Sequence, residues 1–480
     1  MRRLPVKAQE YSQQYCRRYY EEAENLSGEI TVFLALIFIL LVSFIGSLME
    51  GASIQMAKNY RRADMIRAME SVFAEYQREL LEEFDVFGMD GSYESGFWSE
   101  EAVLERLDYY GAAQIDNEIR RIQLLTDHGG QAFREQAARY VEERYGLESL
   151  NNLLGNTGLW KQQEEESDAY QRKEEEANRN LDRLLMENEE ALPTENNPLT
   201  NISAMKRKPL VELVMPKNKM VSGKQYEIQN LVSGRERQTG YGTFDDVEEE
   251  KSVSTLAFGE YLLRHFRCVA DESETVNGGG LDYELEYILG GRSSDRENLE
   301  EVTKKLLLIR FVPNYAFVSN DAEKRAEAEA MALTLCSLIL APEITEAVTQ
   351  VLLLGWAFGE SIMDIRSLMD GKRVPLLKNQ ESWQLQLSAL LTLGTEEDQS
   401  EGLDTESGLT YKEYLRIMFF LGQKETQTMR ALDMIELRLR TEKGLTWFYA
   451  DSCISRMEIR SSCSLRRGIS YQFQTYFGYR

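Results

Sequence analysis

The sequence predicts an α+β protein, predominantly helical, with a single N-terminal transmembrane helix that continues into a stalk and carries a mixed domain ending in a β-hairpin. Three observations predict it: a twenty-residue run without charge from Ile30 to Met49, long stretches rich in Glu, Leu, Ala and Arg with only eight prolines, and same-parity apolar residues about a turn near the C-terminus.

The run ITVFLALIFILLVSFIGSLM, bounded by Glu29 and Glu50, is long enough as a helix to span about 30 Å of hydrocarbon. Its serines, threonine and glycine bond back to helix carbonyls or allow close packing. The 28 residues before it are too long, and too acidic at Glu21, Glu22 and Glu24, for an ordinary secretory leader. An uncleaved anchor or a prepilin-type leader fits better, with Gly28 and Glu29 as the candidate processing site. Arg17 and Arg18 on one flank face Lys58, Arg61, Arg62 and Arg67 on the other, so charge does not settle orientation.

Beyond the span no break signal occurs until the glycines near residue 90, and Met65, Met69, Val72, Phe73, Tyr76 and Leu80 recur at helical steps. One face of this stalk must therefore be covered. The expected organisation is a cytoplasmic head or leader over 1–28, transmembrane helix and stalk over 29–90, a helical region over 91–192, a linker over 193–216 and an α+β domain over 217–480. The linker expectation rests on Pro193, Pro198, Pro209 and Pro216. In LDYELEYIL, Leu281, Tyr283, Leu285 and Tyr287 alternate with acidic residues and predict a strand; Ser294 and Glu297 have capping-box spacing and open a helix after it. The apolar stretches Met331–Ala341 and Val348–Phe358 are short for a second span and read as buried core helices, with a membrane hairpin as the alternative. At the C-terminus Met457 and Ile459 alternate with charges, and Ile469, Tyr471, Phe473 and Phe477 share one parity beyond a turn at residues 466–468.

At 480 residues the chain has ample length for a core without disulfides or metal. Its 55 basic and 80 acidic residues give a net charge of −25, which disfavours nucleic acid as a partner. The five cysteines, Cys16, Cys268, Cys336, Cys453 and Cys463, form no CxxC pair. Cys453 and Cys463 fall on one strand about 30 Å apart at about 3.3 Å per residue, out of disulfide reach. Two histidines, His128 and His265, leave little room for a metal centre or a triad, and GxSxG, HExxH and phosphate-loop motifs are absent. His128 in TDHGG reads as a turn at a helix end and His265 as part of a helix face. Acidic clusters at Glu164–Glu166 and Glu174–Glu176 read as a solvated face, Gly278–Gly280 as a flexible loop, and pairs such as Asp245 and Asp246 are uninformative in so acidic a chain. The sequence thus names no catalytic, cofactor or metal-binding residue.

Three stretches, SGEITVFLALIFILLVSFIGSLMEGASIQ with SVFAEYQRELLEEFDVFGMD, then LDYELEYILGGRSSDRENLEEVTKKLLLIRFVPNYAF, and GKRVPLLKN with GLTYKEYLRIMFFL, resemble an uncharacterised family of clostridial membrane proteins found with tight-adherence (Tad) pilus genes. The N-terminus is similar to TadE/TadG-like pseudopilins. The resemblance implies a non-enzymatic structural or assembly component of a Tad-type pilus or secretion system. Its large C-terminal domain would be extracellular, and its partners the lipid bilayer and other pilus components reached through the N-terminal helix. The alternative is a membrane-anchored binding or sensory ectodomain. The pilin pattern places Gly before the cleaved bond and Glu fifth after it; here Glu29 is first and Phe33 fifth.

Overall fold

The computed structural model describes residues 6–146, 155, 157–187, 197–217, 219–244, 252–271, 279–465 and 468–479. Pro193, the pair Asp245 and Asp246, Gly278 and the tip of the C-terminal turn at Arg466 and Arg467 lie outside the described residues. The fold is predominantly helical, as the composition predicts, and among the described residues it has one four-stranded sheet. Strands β1 (Met89–Asp90), β2 (Asp116–Leu124), β3 (Cys453–Ser464) and β4 (Ser470–Gly478) form it in the order β1-β3-β2, with β4 also paired to β3. β1 runs antiparallel to β3, with Met89 opposite Ile454. β3 and β4 are the C-terminal hairpin expected from the alternating residues. The charges that alternate along β3 are not solvated: Arg456 pairs with Glu135 and Glu458 with Arg121. Burial on both faces of β3 therefore needs ion-pair partners more than 300 residues away in sequence.

The chain divides into two compact units. The first comprises Met1–Val72, Leu104–Glu118 and Arg460–Thr475. Most of it is helix α1, which runs unbroken from Val6 to Phe73. Lys58 lies 5.1 Å from the Tyr471 ring centroid, Arg62 lies 5.5 Å from that of Phe473, and Met65, Ala68 and Met69 are buried. The apolar face of the stalk is covered, as its helical spacing requires.

The second unit comprises Phe73–Val103, Ile119–Ile459 and Tyr476–Arg480. Its centre is the helix Thr345–Met369, whose residues from Val351 to Ile365 are all buried. The helices Asp295–Asn320 and Ala322–Leu338 pack against it. Val348–Phe358 is thus the core helix expected. Met331–Ala341 only partly meets that reading: Ala332, Leu335 and Cys336 are buried, while Leu333, Leu338 and Leu340 are exposed.

Three local expectations differ from the structure. The stalk does not continue to residue 90; helix ends at Phe73 and resumes at Arg78–Phe84. Here the Phe73 ring packs against Phe477, tilted, and Tyr479, edge-on, with centroids at 4.5 and 5.2 Å, and the Gln77 amide donates to the Gly88 carbonyl at 2.8 Å. Tertiary packing ends the helix without a proline or glycine. The proline-rich stretch carries two helices, Pro198–Lys206 and Leu210–Val214, whose Leu199, Ile202, Val211 and Val214 are core residues. Pro198 opens the first behind the Asn197 cap, and the Glu300 carboxylate accepts the Leu210 and Val211 amides of the second. The predicted strand over 281–289 is instead a helix, Glu284–Gly290, which ends on left-handed Gly291. Its alternation misleads because Glu284 and Glu286 are as buried as Leu285 and Tyr287. Glu284 is held by Arg267 and Arg438, and Glu286 accepts from Tyr411 Oη at 2.7 Å and the Val269 amide at 3.1 Å. Ser294 does cap the helix that follows, taking the Glu297 amide.

Candidate functional site: the exposed segment of helix α1

Fifteen large apolar side chains between Ile30 and Met49 are exposed, among them Phe33 at 62%, Phe38 at 67% and Leu40 at 69%. Leaving such side chains in water forgoes about 1.5 kcal/mol or more each, on the order of 20 kcal/mol for the segment. That exceeds the net stability of a typical fold, about 5–15 kcal/mol, so an apolar medium or a partner must cover the segment. The helix is long and apolar enough to cross a membrane, and its apolar window is entirely unburied. The other helix that meets the length and composition test ends at Met369 and is 94% buried, with Glu360 and Asp364 facing ionic partners inside the protein. Gly28 and Glu29 both fall inside α1, so the expected processing site lies on continuous helical backbone.

The groups able to do chemistry are mostly engaged elsewhere. His265 Nε2 lies 3.0 Å from Asp85 Oδ2 and Nδ1 lies 3.0 Å from the Tyr261 carbonyl, with the ring stacked on Tyr261 at 4.1 Å. Both ring nitrogens are thus engaged with groups inside the protein. Tyr140, which also donates to Asp85, has its pKa pushed up to about 12, first by burial. His128 sits where the sequence suggested, in a turn at a helix start, and with Gly129 and Gly130 it makes three successive left-handed residues. A Cβ on Gly130 would approach Thr428 Cγ2 to 2.4 Å, so this position requires glycine on two counts. Cys268, Cys336, Cys453 and Cys463 are buried free thiols and Cys16 is exposed. Burial pushes the Cys268 thiol up, away from a reactive thiolate. No group of metal-ligating side chains occurs among the described residues.

Sequence reasoning missed a buried ionic cluster. Lys378 Nζ lies 2.5 Å from Glu360 Oε1, 2.7 Å from Asp364 Oδ1 and 2.8 Å from the Ser382 carbonyl; Arg310 Nε lies 3.0 Å from Asp364 Oδ2. All four side chains are fully buried. Asn314, Tyr414 and the Gln384 and Leu385 amides fill the remaining valences, so the cluster fastens the core and leaves no open position for a substrate. A cleft of about 300 Å³ beside the helix Asp127–Tyr145 is lined by Arg134, Arg139, Glu135 and Glu142, a mixed set that converges on no single chemistry.

No curated protein and no solved structure matches the chain. Residues 188–465 match the sequence profile of a family of unknown function, DUF5702. That stretch is more than half the chain, and the protein belongs to this family.

Proposed function

We propose that this protein is a non-enzymatic, single-pass membrane anchor for a large domain held outside the cell, and that it serves as a structural or assembly component of a Tad-type pilus or secretion apparatus. The observation that carries the reading is the fully exposed, charge-free segment from Ile30 to Met49. Such a helix rests in lipid as a free subunit and packs against neighbouring helices in an assembly, so its partners are the bilayer and other components meeting α1. The outward placement and the pilus context rest on the similarity of the N-terminus to pseudopilins. Action by packing and display agrees with the engaged state of His265, the buried thiols and the saturated Lys378 cluster.

The test is protease shaving of intact cells with mass spectrometry of released peptides. Release of the exposed stretch around Glu164–Glu166, with residues before Gly28 protected, is the expected result. Release only after lysis places the large domain inside and removes the surface-assembly reading. A binding or sensory ectodomain on the same anchor is the second reading, favoured by an amphipathic cleft lined by Trp160, Lys305 and Arg430.

A further inference from the structure

The helices Thr157–Glu187, Asp295–Asn320, Tyr411–Leu421 and Lys424–Glu442 enclose a cleft of about 480 Å³, within the range of small-ligand sites. One wall is apolar, built chiefly from Trp160, Leu289, Ile309, Ile417, Met418 and Leu421. Two cations also line the cleft. Arg430 Nη1 donates to the Ile288 and Leu289 carbonyls at 3.1 Å each, and Lys305 Nζ donates to the Leu289 carbonyl at 3.0 Å. Among the described residues neither cation is within ion-pair distance of a carboxylate. Glu164, exposed at the rim, is the one carboxylate lining the cleft. In a chain of net charge −25, two neighbouring cations left to carbonyls are out of character with their surroundings.

A third donor points the same way. Gln427 is 4% exposed, yet its Nε2 has no hydrogen-bond partner among the described residues. Gln427 and Gly422 both line this cleft, and an added Cβ at Gly422 would come within 2.1 Å of Gln427 Nε2. The buried Gln163 Oε1, also on the lining, is likewise without a partner, and turning that amide over offers a further donor. A buried amide N–H without an acceptor costs about 1–3 kcal/mol, a cost that an anionic ligand oxygen would remove. Burial, and then Arg430, lowers the Lys305 pKa, with Glu301 offsetting part of the shift.

From these observations we propose that the cleft binds an amphiphile with one anionic head and an apolar chain, the head on Lys305, Arg430 and Gln427 and the chain along Trp160, Met418 and Leu421. Carboxylate and phosphate heads share this chemistry, as in a free fatty acid or a lipid phosphate. The inference does not depend on which side of the membrane the domain occupies.

The experiment is titration calorimetry of the full chain in lipid nanodiscs, with empty nanodiscs subtracted, using octanoate, octyl phosphate and octanol as probes. Saturable binding of an anionic probe, with octanol at least tenfold weaker, is expected; tighter octanoate assigns a fatty-acid head and tighter octyl phosphate a lipid-phosphate head. Lys305→Gln, which keeps a polar group of similar length, should weaken the preferred anion about tenfold with unchanged melting temperature. Gly422→Ala, which displaces the Gln427 amide without touching either cation, should weaken it comparably. Equal binding of octanol and octanoate, an undiminished affinity in both variants, or no heat beyond empty nanodiscs with all three probes overturns the proposal.

Discussion

Replacing Lys378 by methionine removes the one ammonium shared by two buried carboxylates. In the folded protein Glu360 and Asp364 would then stand on adjacent turns of the core helix with Arg310 as the remaining cation, and Glu360 would lose its ion-pair partner. The methionine fills most of the lysine volume, so the loss is electrostatic and not a cavity. Breaking a buried pair on one side costs about 3–5 kcal/mol. The Ser382 carbonyl, which loses its 2.8 Å donor, adds to this. The same logic predicts that Arg325→Ala, which removes exposed pairs with Glu329 at 3.0 Å and Glu346 at 3.5 Å, changes stability little, because solvent screens both. Urea unfolding of both variants, followed by far-UV circular dichroism, gives the comparison directly. A Lys378→Met loss under about 1 kcal/mol, or one equal to that of Arg325→Ala, would refute the claim that this cluster fastens the core.

Further expectations can be checked with the same material. Burial pushes the Glu286 pKa up to about 7 and the Asp433 pKa up to about 6, so each is ionised at a cost in the folded state. Because these folded values lie above the unfolded ones, stability from these groups is greatest below about pH 4 and is lost as pH rises toward 7. Glu286→Gln should flatten the fall in unfolding free energy between about pH 4.5 and 7 by about one proton's worth of slope, measured by denaturant titration at each pH. Gly130→Ala must place a side chain at a φ of 78° and against Thr428, which costs about 2 kcal/mol or more and should appear as a lowered urea midpoint. Phe38→Asp puts a charge at the middle of the exposed apolar segment, an insertion cost of about 3 kcal/mol, and should shift the protein toward the alkaline-extractable fraction of cell membranes.

What was legible in the sequence depended on how local its cause is. The long apolar helix was legible because twenty residues from Ile30 to Met49 carry no charge, and the final hairpin because Met457 and Ile459 before the turn and Tyr471 and Phe473 beyond it each alternate with polar residues. The Ser294 cap was legible because its partner is three residues away. Leu281–Leu289 was misread because Glu284 finds its cation at Arg438, 154 residues later, so a residue that looks solvated is core. The helices at 198–214 were hidden for a similar reason: prolines mark both helix starts and unpacked chain, and the Glu300 cap that decides between them is about 90 residues distant. Neither the Lys378 cluster nor the Lys305–Arg430–Gln427 constellation has any local pattern, since each joins residues from separate helices or loops. Only the assembled fold brings them together.

The central claim, a single membrane crossing with the large domain on the far side from residues 6–28, is tested most directly with cysteine labelling. Cys16 is the one exposed native thiol and lies before the span, while Cys268, Cys336, Cys453 and Cys463 are buried. Intact cells expressing either the native chain or a Cys16→Ala, Glu165→Cys variant are treated with a membrane-impermeant maleimide, before and after permeabilisation. The account predicts immediate labelling of the variant at residue 165 and labelling of Cys16 only after permeabilisation. Labelling of Cys16 on intact cells, or of both sites together, would contradict it.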